Sequence, residues 1–257
     1  MKKTNLYKMV PMEVYKDGHI QSIIDPVVYE KELEIILNGS HIGTTMCSPD
    51  AIPELGIGYL LGQGLLSTKD EVDSVTWKEE DAVYITTANS QEGNIELDDI
   101  KIRQSSIEEK LKYFPKLFDF DNKYETVKVL ELIEELDSKA ITFRKTGGVH
   151  SAALGSREGL LNRYEDIGRH NAVDKVLGYA FLHKVPLNDK CLVLSGRISS
   201  EIVLKVAQNG IPIIISRSAP TLLAVKMAVE VGMTIIGFAR GSRFNVYSHS
   251  SRVNRGK

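Results

Sequence analysis

The C-terminal half of the chain repeats one unit, a buried strand followed by a short polar loop that contains arginine. Apolar runs occupy residues 191–194, 211–215 and 234–238, and helical patterns follow the first two of them. Short continuous apolar runs are typical of strands that are buried on both faces. Strands and helices that alternate through short connections favour right-handed crossovers and a parallel sheet. We therefore predict an α/β fold in which these three strands are parallel and adjacent.

The loops that follow these strands share small polar residues and arginine. Their candidate ligand-binding residues are Ser195, Gly196, Arg197, Ser216, Arg217, Ser218, Arg240, Gly241, Ser242 and Arg243. In a parallel sheet the carboxyl ends of the strands meet at one edge, and ligands bind there. Helix N-termini attract anions, and guanidinium groups match phosphate or carboxylate. We predict a site for a large polyanion such as a nucleotide or pyrophosphate. The alternative is that these arginines only cap helices or pair with surface acids.

Residues 145–175 combine glycine with titratable side chains. The stretch contains His150, Glu165, Asp166, Arg169 and His170. Glycine lets the backbone turn tightly or approach a ligand closely, so this composition favours a binding site. His150 and His170 are candidates for ligand contact, although a purely structural role is an equal alternative. A nucleotide-processing enzyme that uses His150, Asp166 and His170 as acid–base groups is a further alternative.

Local signals predict where the helices begin and where the chain loses regular structure. The expected helix starts are Ser48-Pro49, Asn171, Ser199 and Pro220, because serine and asparagine cap helices and proline fits their first turn. Gly64 and Gly232 are expected to end two of these helices. The polar tail from residue 249 is expected to be frayed.

The N-terminal part reads as a smaller, β-rich unit. Asp17-Gly18 and Asn38-Gly39 predict two hairpin turns, and further strands are expected at residues 72–77, 82–87 and 93–97. We expect a charged, mobile link from residue 98 to residue 125. We predict two domains, residues 1–125 and residues 126–257. Cys47 would lie beside the first helix N-terminus, where the dipole favours a thiolate, unless it is simply a small buried hydrophobe.

Composition excludes several classes of protein. The net charge of -2 argues against a general binder of nucleic acid or membrane surfaces. No segment is long and apolar enough to cross a bilayer, and no apolar stretch follows the basic start of the chain. The two cysteines, Cys47 and Cys191, are far apart and form no disulfide framework. We expect a cytoplasmic protein.

Motifs of common enzyme classes are missing. The histidine and cysteine spacings do not complete a zinc site, so no metal is expected. Neither a phosphate-binding P-loop nor a dinucleotide-binding glycine fingerprint occurs. A nucleophile elbow is also missing. The sequence therefore gives little support to an ordinary hydrolase, NTPase or dehydrogenase.

Five long motifs closely resemble the formate dehydrogenase accessory sulfurtransferases of the FdhD type. They are T-G-G-V-H-S-A-A-L, E-D-I-G-R-H-N-A-V-D-K, S-G-R-I-S-S-E-I-V, I-P-I-I-I-S-R-S-A-P-T and G-M-T-I-I-G-F-A-R-G-S-R-F-N-V-Y. An N-terminal signature, M-C-S-P-D-A-I-P-E-L-G-I-G-Y-L-L-G-Q-G, also matches that family. The resemblance extends from about residue 38 to residue 247.

This resemblance implies a fold, a cargo and partners. Family members are cytoplasmic homodimers with a layered, cytidine-deaminase-like core that has lost its zinc site. They bind the molybdenum bis(molybdopterin guanine dinucleotide) cofactor, accept sulfur from a cysteine desulfurase, and serve apo formate dehydrogenase. The family's cofactor segment corresponds here to Phe238, Ala239, Arg240, Gly241, Ser242 and Arg243.

One departure from the family concerns the sulfur itself. The family usually carries sulfur on a Cys-x-x-Cys loop, and the corresponding residues 103–110 here read R-Q-S-S-I-E-E-K. Sulfur transfer needs a thiolate, which serine cannot supply. Either Cys47 is the catalytic sulfur carrier, or the protein is a non-catalytic chaperone that binds the cofactor. Cys191 lies inside an apolar strand and is a poor candidate.

Overall fold

The computed structural model describes residues 6–67, 72–77, 81–88 and 123–254. The strand predicted at residues 93–97, most of the charged link, and residues 103–110 lie outside this part. The strands are β1 (Tyr7–Lys16), β2 (His19–Val28), β3 (Lys31–Leu37), β4 (Ser40–Cys47), β5 (Val72–Trp77), β6 (Ala82–Thr87), β7 (Tyr124–Glu125), β8 (His150–Gly155), β9 (Leu160–Asp166), β10 (Cys191–Leu194), β11 (Ile213–Ser216), β12 (Thr234–Arg240), β13 (Arg243–Val246) and β14 (Val253–Asn254). The helices are α1 (Ile52–Gln63), α2 (Thr126–Ser138), α3 (Ile141–Thr146), α4 (Arg169–Leu182), α5 (Ser200–Gln208) and α6 (Leu222–Val231).

A six-stranded sheet forms the centre of the C-terminal part, in the order β13-β12-β11-β10-β8-β9. Strands β10, β11 and β12 are parallel neighbours, as the sequence predicted, while β8, β9 and β13 run antiparallel to their neighbours. Helix α2 packs on one face with Val129, Leu132 and Leu136 fully buried. The α/β class is therefore confirmed, and the cytidine-deaminase-like layering stays a prediction from the resemblance.

The other face of this sheet belongs to a core that also includes the N-terminal part. Buried side chains of β3, α1 and β6 join those of α4, β10, α5 and α6 in one apolar cluster. Helices α1 and α4 cross closely at two glycines. A Cβ on Gly58 would lie 1.8 Å from the Asp174 carbonyl oxygen, and one on Gly178 would lie 1.9 Å from the Glu54 carbonyl oxygen. Neither position accepts a side chain, so the crossing depends on glycine.

Both predicted hairpins are confirmed. Strands β1 and β2 pair around Asp17-Gly18, whose φ angles are 52° and 83°, and β3 and β4 pair around Asn38-Gly39. Two positive φ angles are what a tight hairpin turn requires. Strands β5 and β6 complete a four-stranded sheet in the order β4-β3-β6-β5.

Three predicted helix starts are wrong by two or more residues. Helix α1 begins at Ile52 rather than Pro49, helix α4 begins at Arg169 rather than after Asn171, and helix α6 begins at Leu222 with Thr221 as its cap. Ser199 does occupy the cap position of α5, although its side chain makes no cap hydrogen bond. Gly64 and Gly232 end α1 and α6 as predicted.

The prediction of a frayed C-terminal tail is wrong up to residue 254. Arg252 is buried and donates hydrogen bonds to the Gly232 carbonyl at 2.7 Å and to Thr234 Oγ1 at 3.1 Å. Strand β14 then pairs in parallel with β7. Charge-assisted hydrogen bonds and strand pairing therefore order the tail up to residue 254, although its polar composition suggested that it would be frayed.

Candidate anion-binding edge

The carboxyl ends of β10, β11 and β12 lie on one edge of the six-stranded sheet, because the three strands are parallel. Strand β8 runs antiparallel to β10, so its first residue, His150, lies at the same edge. His150 pairs with Asp166, the last residue of β9, and α4 begins three residues later. We call this edge, with the loops after β10, β11 and β12, the polar edge.

Serine side chains fix the backbone of the loops at the polar edge. Ser195 Oγ accepts a hydrogen bond from the Ser151 N–H at 2.9 Å, which extends the β8–β10 ladder. Ser216 Oγ donates to the Gly196 carbonyl at 2.6 Å and accepts from the Ser218 N–H at 2.9 Å. Three of the predicted serines therefore hold the first two loops together, and Ser195 and Ser216 do so with their side chains.

His150, Arg169 and Gly196 meet at the start of β8. A Cβ placed on Gly196 would lie 3.3 Å from Arg169 Cβ and 3.4 Å from His150 Nδ1. Arg169 Nε is buried and has no hydrogen-bond partner in the described part of the chain. Burial lowers the pKa of His150, and the nearby Arg169 and Arg197 lower it further. This corner of the polar edge is therefore rich in positive charge.

His170 is engaged by its own neighbours. Its Nε2 lies 3.2 Å from Ser199 Oγ and 3.2 Å from Glu201 Oε2. Burial lowers the pKa of His170. The positive charges of Arg169 and Lys205 lower this pKa further, and the negative charge of Glu201 raises it. These contacts connect the start of α4 to the start of α5. They support the structural role that was the alternative to ligand contact for His170.

The predicted arginines differ in what they contact. Arg217 forms an ion pair with Asp137 of α2 at 3.1 Å. Arg197, Arg240 and Arg243 are exposed and form no ion pair with any residue that the structure describes. Phe238 has a left-handed backbone, with a φ of 52°, and its N–H donates to the Ser218 carbonyl at 3.1 Å. That hydrogen bond brings the end of β12 against the loop after β11, as the sequence predicted.

Cys47 is the end of β4 and is fully buried. Burial raises the pKa of its thiol to about 12, with Asp166 the next largest cause. The helix that was expected beside it begins at Ile52, so its dipole does not stabilise a thiolate on Cys47. Burial likewise raises the pKa of the Cys191 thiol to about 12. Of the two roles predicted for Cys47, these observations therefore favour the small buried hydrophobe over the activated thiolate.

The paired acids Glu165 and Asp166 have structural partners. Glu165 accepts hydrogen bonds from the N–H groups of Thr142 and Phe143 at the start of α3, at 3.1 and 2.9 Å. Asp166 Oδ2 lies 2.7 Å from Lys175 Nζ, and its Oδ1 accepts from the Gly168 N–H at 2.9 Å. Both oxygens of Asp166 have protein partners, which favours a structural role for Asp166 over the acid–base alternative.

The described residues contain no group of three or more histidine, cysteine or acidic side chains arranged to hold a metal ion. Among the helices of that same part, none is both long enough and apolar enough to cross a membrane.

The sequence analysis placed Arg169 in the glycine-rich stretch that favours a binding site, but it did not anticipate that Arg169 begins α4, because it expected that helix to start at Asn171. The signal was available, since Gly168-Arg169-His170 precedes the apolar helical pattern directly. A glycine with extended backbone, followed by an arginine at the first helical position, sets a cation at a helix N-terminus.

A sequence model of the FdhD/NarQ family matches residues 28–254. The chain belongs to this family. The chain is 40% identical over 248 residues to the sulfur carrier protein FdhD of Bacillus pumilus, covering 93% of this chain and 94% of the relative. It is 40% identical over 259 residues to the protein of the same name from Bacillus subtilis, with coverage of 93% and 94%.

A solved structure has the same fold. The crystal structure of a protein from Desulfotalea psychrophila, described as a formate dehydrogenase accessory protein, superposes with a TM-score of 0.83 at 29% identity. The match covers 97% of this chain and all of the other chain. The sequence resemblance to the FdhD family is therefore confirmed.

Proposed function

We propose that this chain binds the molybdenum bis(molybdopterin guanine dinucleotide) cofactor at the polar edge during maturation of formate dehydrogenase. The observation that supports this most strongly is a row of cations, Arg197, Arg240 and Arg243, which have no acidic partner among the described residues. The cofactor carries two pyrophosphates, and guanidinium groups bind such anions bidentately. Family membership and the accessory role named for the Desulfotalea protein agree with this proposal.

The residues present fit such a polyanionic cargo. Arg169 Nε is a buried donor without a partner in the described residues, and it belongs to a side chain that packs with His150 closely around Gly196. The segment from Phe238 to Arg243 turns at the end of β12 and exposes its arginines. In the proposal these groups bind and orient the nucleotide ends of the cargo, while the molybdenum end faces a partner protein.

Two versions of this function differ in what happens to sulfur. In the first version the protein only holds and delivers the cofactor. The buried thiols of Cys47 and Cys191 favour it, because the chain has two cysteines and burial raises the pKa of each to about 12. A thiol with such a pKa has almost no thiolate at neutral pH and is a poor nucleophile.

In the second version Cys47 carries sulfur, as the names of the relatives indicate for those proteins. Its thiolate attacks the terminal sulfur of a persulfide on a cysteine desulfurase, a new S–S bond forms on Cys47, and the desulfurase thiolate leaves. This chemistry needs Cys47 to be exposed, which requires local opening of the segment around Ser48.

Native mass spectrometry of the protein, purified from cells with active molybdenum metabolism, tests the proposal and separates the two versions. We expect a mass that corresponds to a homodimer with bound cofactor and without added sulfur on either cysteine. A persulfide on Cys47 would establish the second version. A protein that carries no cofactor, and that binds no guanine nucleotide when one is added, would contradict the proposed function itself.

The proposed partners are apo formate dehydrogenase, a cysteine desulfurase in the second version, and a second copy of the chain. The hairpin of β1 and β2 offers a surface for one of them, because Tyr15 and Ile20 near its tip are 75% and 68% exposed. Exposed apolar side chains on a two-stranded sheet are stabilised when another surface covers them.

A further inference from the structure

The ribbon formed by β1 and β2 carries a large share of the exposed apolar surface. Of the nineteen large apolar side chains that are exposed in the described part of the chain, eight lie between residues 7 and 29. The most exposed among them are Tyr15, Ile20, Ile24 and Met9. Single exposed apolar residues are ordinary on a protein surface, whereas a cluster of this kind indicates a contact surface.

The strand register places the most exposed of these side chains on one face of the ribbon. Successive side chains of a strand point to opposite faces, and cross-strand partners share a face. The apolar pairs on this face are Met9–Pro26, Pro11–Ile24 and Tyr15–Ile20. Between them lies one polar pair, Glu13 and Ser22. We call these eight residues the ribbon face.

The inner end of the same side of the ribbon is already covered by the rest of the chain. Tyr7 and Val28 form the next pair on this side, and both are half-buried. A Cβ on Gly148 would lie 3.0 Å from Val28 Cγ2, and Lys145 Nζ lies 4.9 Å from the centre of the Tyr7 ring. The protein therefore covers the base of the ribbon and leaves most of the ribbon face open.

The charged side chains of the two strands lie mostly on the opposite side. Lys8, Lys16 and Asp25 alternate there with apolar residues, whereas Glu13 is the charged residue of the ribbon face. Charge-poor apolar faces are typical of permanent contacts between identical chains, because transient partners meet through more polar surfaces. Such a face is also self-complementary about a two-fold axis, since little charge of one sign opposes itself.

The size of the ribbon face suits a contact between two copies. Its six apolar side chains offer on the order of 100 Å² each, so two copies together would bury roughly 1,200 Å². Specific, stable interfaces begin at about that total area. A two-stranded ribbon on its own is marginally stable in water, and a second layer of strands removes this weakness.

We propose that two copies of the chain associate through their ribbon faces, which pack against each other about a two-fold axis. Each ribbon then covers the apolar face that the other leaves open, and four strands form two packed layers. This contact gives a location to the second copy that is named among the proposed partners. It rests on the ribbon alone and is independent of the cofactor.

Sedimentation velocity of the full-length protein without nucleotide measures the contact. Ile24→Asp puts a charge into the ribbon face. We expect it to raise the dissociation constant of the dimer by about 30-fold or more, because central apolar side chains dominate binding and a buried charge without a partner is costly. The matched control is Val127→Asp on α2, since Val127 is 64% exposed and Ile24 is 66% exposed. It should change the constant by less than about twofold.

A second variant keeps the test valid if the charge disrupts the ribbon itself. Ile24→Thr retains a β-branched residue, which strands favour, and removes only apolar area, so we expect the dissociation constant to rise about three- to tenfold. Unfolding temperatures show whether each variant is folded. If Ile24→Asp is unfolded, the comparison of Ile24→Thr with Val127→Asp decides the question.

Cross-linking tests where the two copies meet. Ser22 lies near the middle of the ribbon face, where the two-fold axis would pass, and Gln21 is its neighbour on the opposite side. The two natural cysteines, Cys47 and Cys191, are buried, so an added cysteine provides the accessible thiol. A short bis-maleimide should join Ser22→Cys into covalent dimers and leave Gln21→Cys largely uncoupled.

The outcomes separate the ribbon contact from its alternatives. A dimer that Ile24→Asp dissociates and Val127→Asp preserves, with cross-links at Ser22→Cys and few at Gln21→Cys, supports the contact. A monomeric wild type overturns it, and so does a dimer that persists unchanged in folded Ile24→Asp or cross-links equally at both positions. Since nucleotide is left out of these measurements, a failure of the ribbon contact leaves the proposed cofactor binding standing.

Discussion

Two strand-to-helix connections in this molecule have similar polar sequences and different physical roles. After β4 the chain reads Cys47-Ser48-Pro49-Asp50, and after β10 it reads Ser195-Gly196-Arg197. In the first connection the polar groups have protein partners. The Ser48 N–H donates to Asp166 Oδ2 at 3.1 Å, the Ser48 carbonyl accepts from Lys175 Nζ at 3.1 Å, and Asp50 lies 2.7 Å from Lys175 Nζ.

In the second connection the backbone carbonyl of Gly196 has a hydrogen-bond partner, whereas the charged side chain of Arg197 has no ion-pair partner among the described residues. The Gly196 carbonyl accepts from Ser216, while Arg197 is exposed without an ion pair among the described residues. A polar loop whose groups are all paired within the protein stabilises the fold, and one that retains unpaired charge attracts a ligand. The comparison favours a structural role for the connection after Cys47 and supports the binding role that we propose for the polar edge.

The largest expected effect concerns the first connection. Lys175 is fully buried between Asp166 and Asp50, so Lys175→Met leaves a buried carboxylate without its counter-charge. We expect the free energy of unfolding to fall by about 3–5 kcal/mol, the usual result of removing one partner from a buried ion pair. Urea denaturation followed by circular dichroism measures this change.

Lys226→Met serves as the control for that measurement, because it removes an exposed lysine from a helix and should cost less than about 0.5 kcal/mol. The double variant Asp166→Asn with Lys175→Met should recover part of the loss, since the uncompensated charge is gone. A Lys175→Met protein as stable as the control would mean that the first connection is not held by this network.

The sequence predicted the features of the fold that depend on local chemistry. The turns Asp17-Gly18 and Asn38-Gly39 are confirmed because their backbone preferences act within two residues. The parallel order of β10, β11 and β12 is confirmed because short connections leave few alternatives.

The wrong helix starts have a common cause. Ser48 and Asn171 look like helix caps in the sequence, but both use their polar groups over long sequence separations. Ser48 Oγ accepts from the Ile167 N–H, and Asn171 Nδ2 donates to the Met46 carbonyl at 2.7 Å. Local patterns carry no information about partners more than 100 residues away, so tertiary contacts override the local signal. The anchoring of Arg252 was missed for a related reason, because its partners Gly232 and Thr234 lie 20 and 18 residues away, which is also beyond a local pattern.

The sequence predicted which loops form the candidate site, but it did not predict which side chains in those loops contact one another. Strand order alone brings the serine and arginine loops to one edge, so most of the polar edge follows from the sequence. Whether Arg217 remains unpaired depends on the position of Asp137 in α2, which precedes Arg217 by 80 residues in the sequence. Only the packing of α2 on the sheet decides this, and no sequence pattern signals it.

A pH titration of anion binding sharpens the comparison with an effect of intermediate size. The groups facing His150 are Arg169 on α4, Arg197 after β10, and Asp166 on β9. Since burial and the two arginines lower the pKa of His150 from its usual value of 6.5, the imidazole is neutral at pH 7.5 and gains a proton only in more acidic solution. Protonation adds a positive donor, so we expect sulfate, which does not titrate in this range, to bind roughly three- to tenfold more tightly at pH 5.5 than at pH 7.5.

Lowering the pH strengthens anion binding but lowers the stability of the anion-free protein. Without an anion, the unfolded chain binds the proton more readily than the folded one, so the stability of the protein should fall as the pH falls through 6.5. His150→Asn should flatten the pH dependence of sulfate affinity, while His41→Asn, on an exposed histidine of β4, should preserve it. A pH dependence that survives in His150→Asn would assign it to another group.

The smallest expected effect tests whether Asp137 limits the second half of the polar edge. Asp137 and Arg217 are 34% and 44% exposed, and their ion pair is a surface contact that contributes under about 1 kcal/mol. Asp137→Asn frees Arg217 for an external anion, so GDP affinity at low salt should rise about two- to threefold. Asp73→Asn is the matched control, because it also removes one exposed acid. Asp73 lies on β5 near Leu187 and Asn209, which precede β10 and β11, and therefore at the edge of the sheet opposite the polar edge. A rise of equal size in both variants would reflect net charge alone, and unchanged affinity in Asp137→Asn would restrict anion binding to the Arg169 corner.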